Sequence, residues 1–172
     1  IPPEFYAEFL TKCAAAAAGR GDAETASWLW HGANLFDRQR AAEVGSELAP
    51  IAAFPALRQP RHVGPKAAKP RSDRRLESPT GELFDGEKPA KISGDLPSGD
   101  KLYSLRRRAN VTLEFVLGAD GRLHQPALAY REEATPTQVY CFLRSFEKWK
   151  FDPARRNGVP TDVVYVVTSR VY

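Results

Sequence analysis

Hydrophobic and polar positions along this chain follow three different rhythms. From Pro2 to about Ala49 the spacing is helical: Pro2-Pro3 preset a first turn, and Phe5, Phe9, Cys13 and Ala17 return every fourth residue along one face. Gly19 and Gly21 close that helix. Asp22 suits the N-cap of a second, whose buried side is marked by Ala26, Leu29, Trp30, Ala33 and Phe36, and Ala41 to Leu48 suggests a third piece. Residues 1–49 therefore read as an α-helical hairpin module with an extra turn. Between Pro50 and about Lys101 the periodicity stops. Pro55, Pro60, Pro65, Pro70, Pro79, Pro89 and Pro97 punctuate a stretch that carries Arg58, Arg61, Lys66, Lys69, Arg71, Arg74 and Arg75, the composition of an extended linker, 50–101, in which Leu83-Phe84 could pack onto a folded domain.

From about Leu102 to Tyr172 alternation takes over. Val111, Leu113, Phe115 and Leu117 alternate with Thr112 and Glu114, which predicts a half-buried strand with one wet face. Gly118-Ala-Asp-Gly121 turns the chain into a partner strand, Leu123 to Tyr130, where Pro126 demands a sheet edge or a bulge. Thr135-Pro-Thr-Gln138 is a capping box, and Val139, Phe142, Leu143, Phe146 and Trp149 form one apolar stripe on the helix that follows. Trp149 and Phe151 straddle the next corner, Pro153 stops the helix, and Asn157-Gly158 supplies positive-φ turn chemistry. A β-branched final strand, Asp162 to Tyr172, follows, and its late position suits a sheet edge. The order β-β-α-β and the helical N-terminal module together predict the α+β class, an antiparallel sheet with one helix on its face.

Composition changes this picture little. The chain has 172 residues, 42% of them hydrophobic and 27% charged, with a formal net charge of +4. That is ordinary folding material, and its fourteen prolines and twelve glycines favour a linker between two bodies. The basic stretch lacks the aromatic residues that stack on bases, so its charges read as solvated and no nucleic-acid partner is expected. No apolar run reaches the roughly 20 residues that cross a bilayer. The chain opens at Ile1 and contains no Met, so the initiator and whatever followed it are expected upstream, and a removed signal peptide or membrane anchor is one explanation.

Catalytic chemistry finds no constellation. His31, His62 and His124 fall in three different regions, with no Ser or Cys in a nucleophile setting and no glycine-rich phosphate loop, so neither an enzyme nor a cofactor is expected. Cys13 and Cys141 form no metal-binding spacing, and no metal is expected. Cys141 falls opposite Val139, Phe142 and Phe146 on its helix, while Cys13 lies on the first helix's stripe. A clamp between them and two separate thiols are the alternatives.

The residues from about 102 to 172 resemble the C-terminal domain of TonB-family energy transducers. The likeness rests on Val111-Thr-Leu-Glu-Phe115 with the Asp120-Gly121 turn, and on the corner Trp149, Phe151, Pro153, Ala154, Gly158 and Pro160, behind a Pro- and Lys/Arg-rich spacer. Ala109 stands where the family commonly carries Gly. The resemblance implies a periplasmic domain, anchored to the inner membrane by a segment outside this chain. It would capture an extended peptide, the TonB box of an outer-membrane receptor, by adding it as a strand to a sheet edge, and so couple inner-membrane partner proteins to transport. Val163, Tyr165, Val167 and Ser169 are then the expected pairing residues, with Arg155, Arg156 and Asn157 as polar contacts in the corner loop. Two alternatives stand beside this: a non-transducing envelope adaptor with the same fold, and a homodimer in which a second copy covers the final strand.

Overall fold

The protein, described by a computed structural model, is mixed α and β with antiparallel sheets. The description covers residues 2–48, 54, 58–64, 76–94 and 109–171, with the side chains of 109 and 169–171 left aside. The chain forms two compact units, one of residues 1–58 with 135–141 and the other of 59–134 with 142–172.

In the first unit, α1 (Pro3–Gly19), α2 (Ala23–Phe36) and α3 (Arg38–Leu48) form a small bundle. Their ends follow from local chemistry. Pro3 stands at the first helical position of α1, Asp22 accepts the Thr25 N–H at 3.1 Å to cap α2, and Asp37 accepts the Arg40 N–H at 3.0 Å to open α3. The buried face of α1 is Ala7, Leu10, Ala14 and Ala17, so of the expected Phe5–Phe9–Cys13–Ala17 stripe only Ala17 is buried: Phe5 and Phe9 are each 56% exposed and Cys13 is half-buried. Small side chains win because Ala14, Ala33 and Ala41 let helices approach closely, while Tyr6 turns inward to stack on Phe36 at 4.8 Å. Glu8 joins α1 to α3, accepting hydrogen bonds from Lys12 and Arg40 at 2.7 Å each; both hold its carboxyl down to about 2. The capping box forms as expected, with the Thr135 N–H donating to Gln138 and the Gln138 N–H to the Thr135 hydroxyl, at the start of α4 (Pro136–Arg144). Cys13 and Cys141 are both free thiols, so the clamp is not made.

The second unit is built on a three-stranded antiparallel sheet in the order β3 (Leu123–Glu132), β2 (Ala109–Leu117), β7 (Val163–Val171). Pro126 acts as its chemistry requires: β3 is an outer strand, and the register slips at Gln125-Pro126, where Gln125 takes φ 49°. On one face of β2, Phe115 meets Phe146 at 5.1 Å, and an aromatic chain runs from Phe146 through Trp149 and Phe151 to Tyr165. The other face departs from expectation. It is not wet: Thr112, Glu114 and Val116 are all buried, Glu114 completely. The physical reason is a strap, residues 59–64, whose Arg61 and His62 N–H groups donate to the Glu114 carboxylate at 3.0–3.3 Å, while the Gly64 N–H reaches the Ala129 carbonyl at 3.0 Å.

The same finding corrects the linker. Of the 50–101 stretch, the described residues 59–64 and 76–94 belong to the second unit rather than extending as spacer, and Phe54 is buried in the core of the first. Leu76–Phe84 closes a tight hairpin, Glu87 pairs with Arg155, and β1 (Ala90–Ser93) pairs with β4 (Lys150–Asp152). Backbone groups of this proline-punctuated segment satisfy partners the sheet already offers. Most of the basic run, including Lys66, Lys69, Arg71, Arg74 and Arg75, lies outside the described residues, as does the start of the third region at 102.

Two expectations follow. Glu114→Ala leaves the Arg61 and His62 N–H groups without their carboxylate and should destabilise the second unit by about 3 kcal/mol, measured by denaturant unfolding; a loss under about 0.5 kcal/mol would contradict the strap's role. In the first unit, burial pushes the His31 imidazole below its usual range, against the opposing bond of its Nδ1–H to the Ser27 carbonyl at 2.7 Å, and Nε2 is buried with no partner among the described residues. The fold keeps the neutral ring, so its stabilising contribution is present above about pH 6.5 and lost as pH falls below that toward the lower folded value. The thermal midpoint should fall from about pH 7 to about pH 5, and His31→Gln should flatten the fall.

Candidate functional site

The outer edge of β7 is the feature that can do chemistry of recognition. Val163, Val164, Val166 and Val167 are β-branched residues suited to a pleated, half-buried strand, and the entry to the strand is pinned by Asp162, which accepts the Ala119 N–H at 2.8 Å. Antiparallel pairing with β2 runs from Leu117↔Val163 to Ala109↔Val171 without interruption. In such a pair the main-chain groups of alternate residues point toward the partner and away from it.

One bond fixes which residues do which. The Val164 N–H donates at 2.8 Å to the carbonyl of Glu77, outside the sheet. Val164, Val166, Thr168 and Arg170 therefore present their N–H and C=O groups outward, and Val163, Tyr165, Val167 and Ser169 use theirs on β2. This corrects the expected pairing set. The four residues named from sequence are the internal rungs; the outward rungs lie one position along. Among the described residues nothing pairs with the outward main-chain groups of Val166 and Thr168, and no proline interrupts the strand. On the side-chain level Val163 is core, Tyr165 meets the Phe151 ring at 5.0 Å, and Thr168 shares a hydroxyl bond with Thr112 at 3.0 Å.

The corner loop is more occupied than expected. Arg155 exchanges main-chain bonds with Glu87 (2.7 and 3.0 Å) and its guanidinium donates to Asp152 at 2.9 Å. Arg156 lies over the Phe84 ring at 5.5 Å, with Asp85 at 3.8 Å. Both hold the 84–87 segment against the corner. Asn157, at φ 53°, and Gly158, at φ 78°, form the exposed turn between β5 (Arg155–Arg156) and β6 (Val159–Pro160), so only Asn157 of the three stands clear. Trp149 is buried beneath Gly94 and Lys91, whose ammonium sits 4.6 Å from the ring centre.

Other chemistry stays dispersed. His62 pairs with Glu77 at 3.2 Å, and His124 with Asp120 at 2.8 Å. Among the described residues no group of three or more His, Cys, Asp and Glu side chains is placed to hold a metal ion, and no helix is long and apolar enough to cross a membrane. Sequence reasoning missed Val164, Val166, Thr168 and the edge-capping role of Glu77, because strand parity depends on a partner that no local pattern reveals. No protein-family model and no curated protein sequence matches this chain.

Amide hydrogen exchange checks the parity directly. Tyr165 and Val167 should exchange slowly and Val166 and Thr168 faster by about tenfold or more. Equal protection along the strand would contradict it.

Proposed function

We propose that the second unit captures an extended peptide by adding it as a strand to the outer edge of β7, in the manner of a TonB-family transducer. The peptide would be the TonB box of an outer-membrane receptor, met in the periplasm. The observation that carries this reading is the outward row at Val166 and Thr168, which no described residue occupies, on a β-branched strand without proline. The sequence likeness of the tryptophan corner and the β2–β3–α4–β7 order support it.

Magnitudes fit a reversible link. Val166, Thr168 and Arg170 offer up to six main-chain bonds, each worth about 1 kcal/mol net, and ordering the peptide offsets part of that, so dissociation constants of roughly 0.1–1 mM are expected from the backbone alone. Side chains of the peptide then set preference. A second reading, a non-transducing envelope adaptor that uses the same edge, is favoured by one observation. Residues 59–64 and 76–94 lie within the second unit instead of extending as spacer, which shortens the reach available for transmitting a pull.

The test replaces an outward donor without touching the β2 ladder. Thr168→Pro should weaken binding of a TonB-box peptide about tenfold, measured by titration calorimetry, whereas Thr168→Val, which keeps the N–H, should bind as the parent does. Equal affinity in a folded Thr168→Pro variant would reject this edge as the site.

A further inference from the structure

Among the described residues, the edge of β7 is open along only part of its length. Its first outward donor, the Val164 N–H, is already bonded to the Glu77 carbonyl, so Glu77 stands in the lane that an added strand would enter. Glu77 belongs to the hairpin Leu76–Phe84, closed by the Ser78 N–H on the Glu82 carbonyl and the Phe84 N–H on the Leu76 carbonyl, each at 2.8 Å. Glu77 and Leu83 form the unbonded rung of that hairpin, which leaves the Glu77 main chain directed at β7.

The hairpin is fastened at several independent points. The Glu77 carboxylate takes the Arg61 Nε–H at 3.3 Å and lies 3.2 Å from His62 Nε2, and the N–H groups of the same two residues hold the buried Glu114. At the other end Phe84 is buried with the Arg156 guanidinium over its ring, and three residues further on Glu87 exchanges bonds with Arg155. Displacing it would break these contacts together, at a cost exceeding the two or so extra main-chain bonds that a peptide would gain by reaching Val164.

We infer that the hairpin Leu76–Phe84 is a register stop: it fills the place beside Val164, so a peptide is seated only opposite Val166–Val171, with one end against Glu77. This rests on the strand-addition reading and adds to it a limit on length and a fixed frame. With strands pairing residue for residue, the lane holds about six residues of peptide. A one-residue slip would turn every peptide side chain to the opposite face, so a fixed end decides which side chains are read.

The test has two arms on the full chain. In the protein alone, the Val164 amide should exchange more slowly than those of Val166 and Thr168 by about tenfold or more; a Val164 amide as fast as its neighbours overturns the stop whatever the peptide does. With synthetic TonB-box peptides of increasing length, affinity should rise to about six residues and then stay within about twofold, the Val166 and Thr168 amides becoming protected while Val164 is unchanged. Affinity that keeps rising, with Val164 shifting on binding, overturns the stop and leaves the strand-addition reading standing. No binding at any length overturns both. As a second variant, Gly81→Val strains a turn residue at φ +95° and should loosen the hairpin, restoring a gain in affinity of about tenfold for the longer peptides. An unchanged length plateau in a folded Gly81→Val protein with a fast Val164 amide would also count against the stop.

Discussion

The hydrogen bond from the Val164 N–H to the Glu77 carbonyl settles the parity of the last strand, and the functional reading follows from that parity. A strand has two rows of main-chain groups, and the side chains do not announce which row faces the sheet. Once Val164 points out, Tyr165 and Val167 must point in, and the outward row falls in a frame opposite to the one the residue types suggest. The same bond caps one end of that edge. Recognition by strand addition needs both an open row and a boundary, and a single donor–acceptor pair supplies the frame for both.

Among the described residues the sheet leaves part of one edge open while both of its faces are closed. One face of β2 is covered through Phe115, Phe146 and the aromatic chain to Tyr165. The other is closed by the strap on Glu114, an arrangement that places a carboxylate at the centre of the sheet and satisfies it with main-chain donors. A buried carboxylate without such donors would cost several kcal/mol, so the strap and Glu114 stabilise one another or fail together. Gly64 extends the strap to the Ala129 carbonyl on the far strand, which occupies part of the other edge. Exposed edges invite unwanted pairing, and this unit blunts both of its edges in part, β3 with a bulge and the strap, β7 with the hairpin.

Much of the local architecture was legible in the sequence. The Asp22 cap, the Thr135–Gln138 capping box, the bulge at Pro126 and the Asn157-Gly158 turn are all made by residues within a few positions of one another. What was illegible depends on distant partners. Glu114 alternates with apolar neighbours as a solvent-facing residue would, and only a strap 53 positions earlier in the chain explains its burial. The α1 face was misassigned because Ala7 and Ala14 carry a weaker hydrophobic signal than Phe5 and Phe9, although small residues are what closely packed helices need. The proline-rich stretch reads as linker because its described residues 59–64 and 76–94 are placed by bonds to distant partners and not by any period of their own. Arg155 and Arg156 were legible as corner residues, but their engagement with Asp152, Phe84 and Glu87 was not.

The central claim is that a visiting backbone lies alongside β7. Isotope-edited nuclear Overhauser spectra of labelled protein with unlabelled TonB-box peptide address it most directly. The account predicts contacts from the Val166 and Thr168 amide protons to the peptide's main-chain protons, and none from β3; contacts confined to β3 or to the Asn157-Gly158 turn would contradict it.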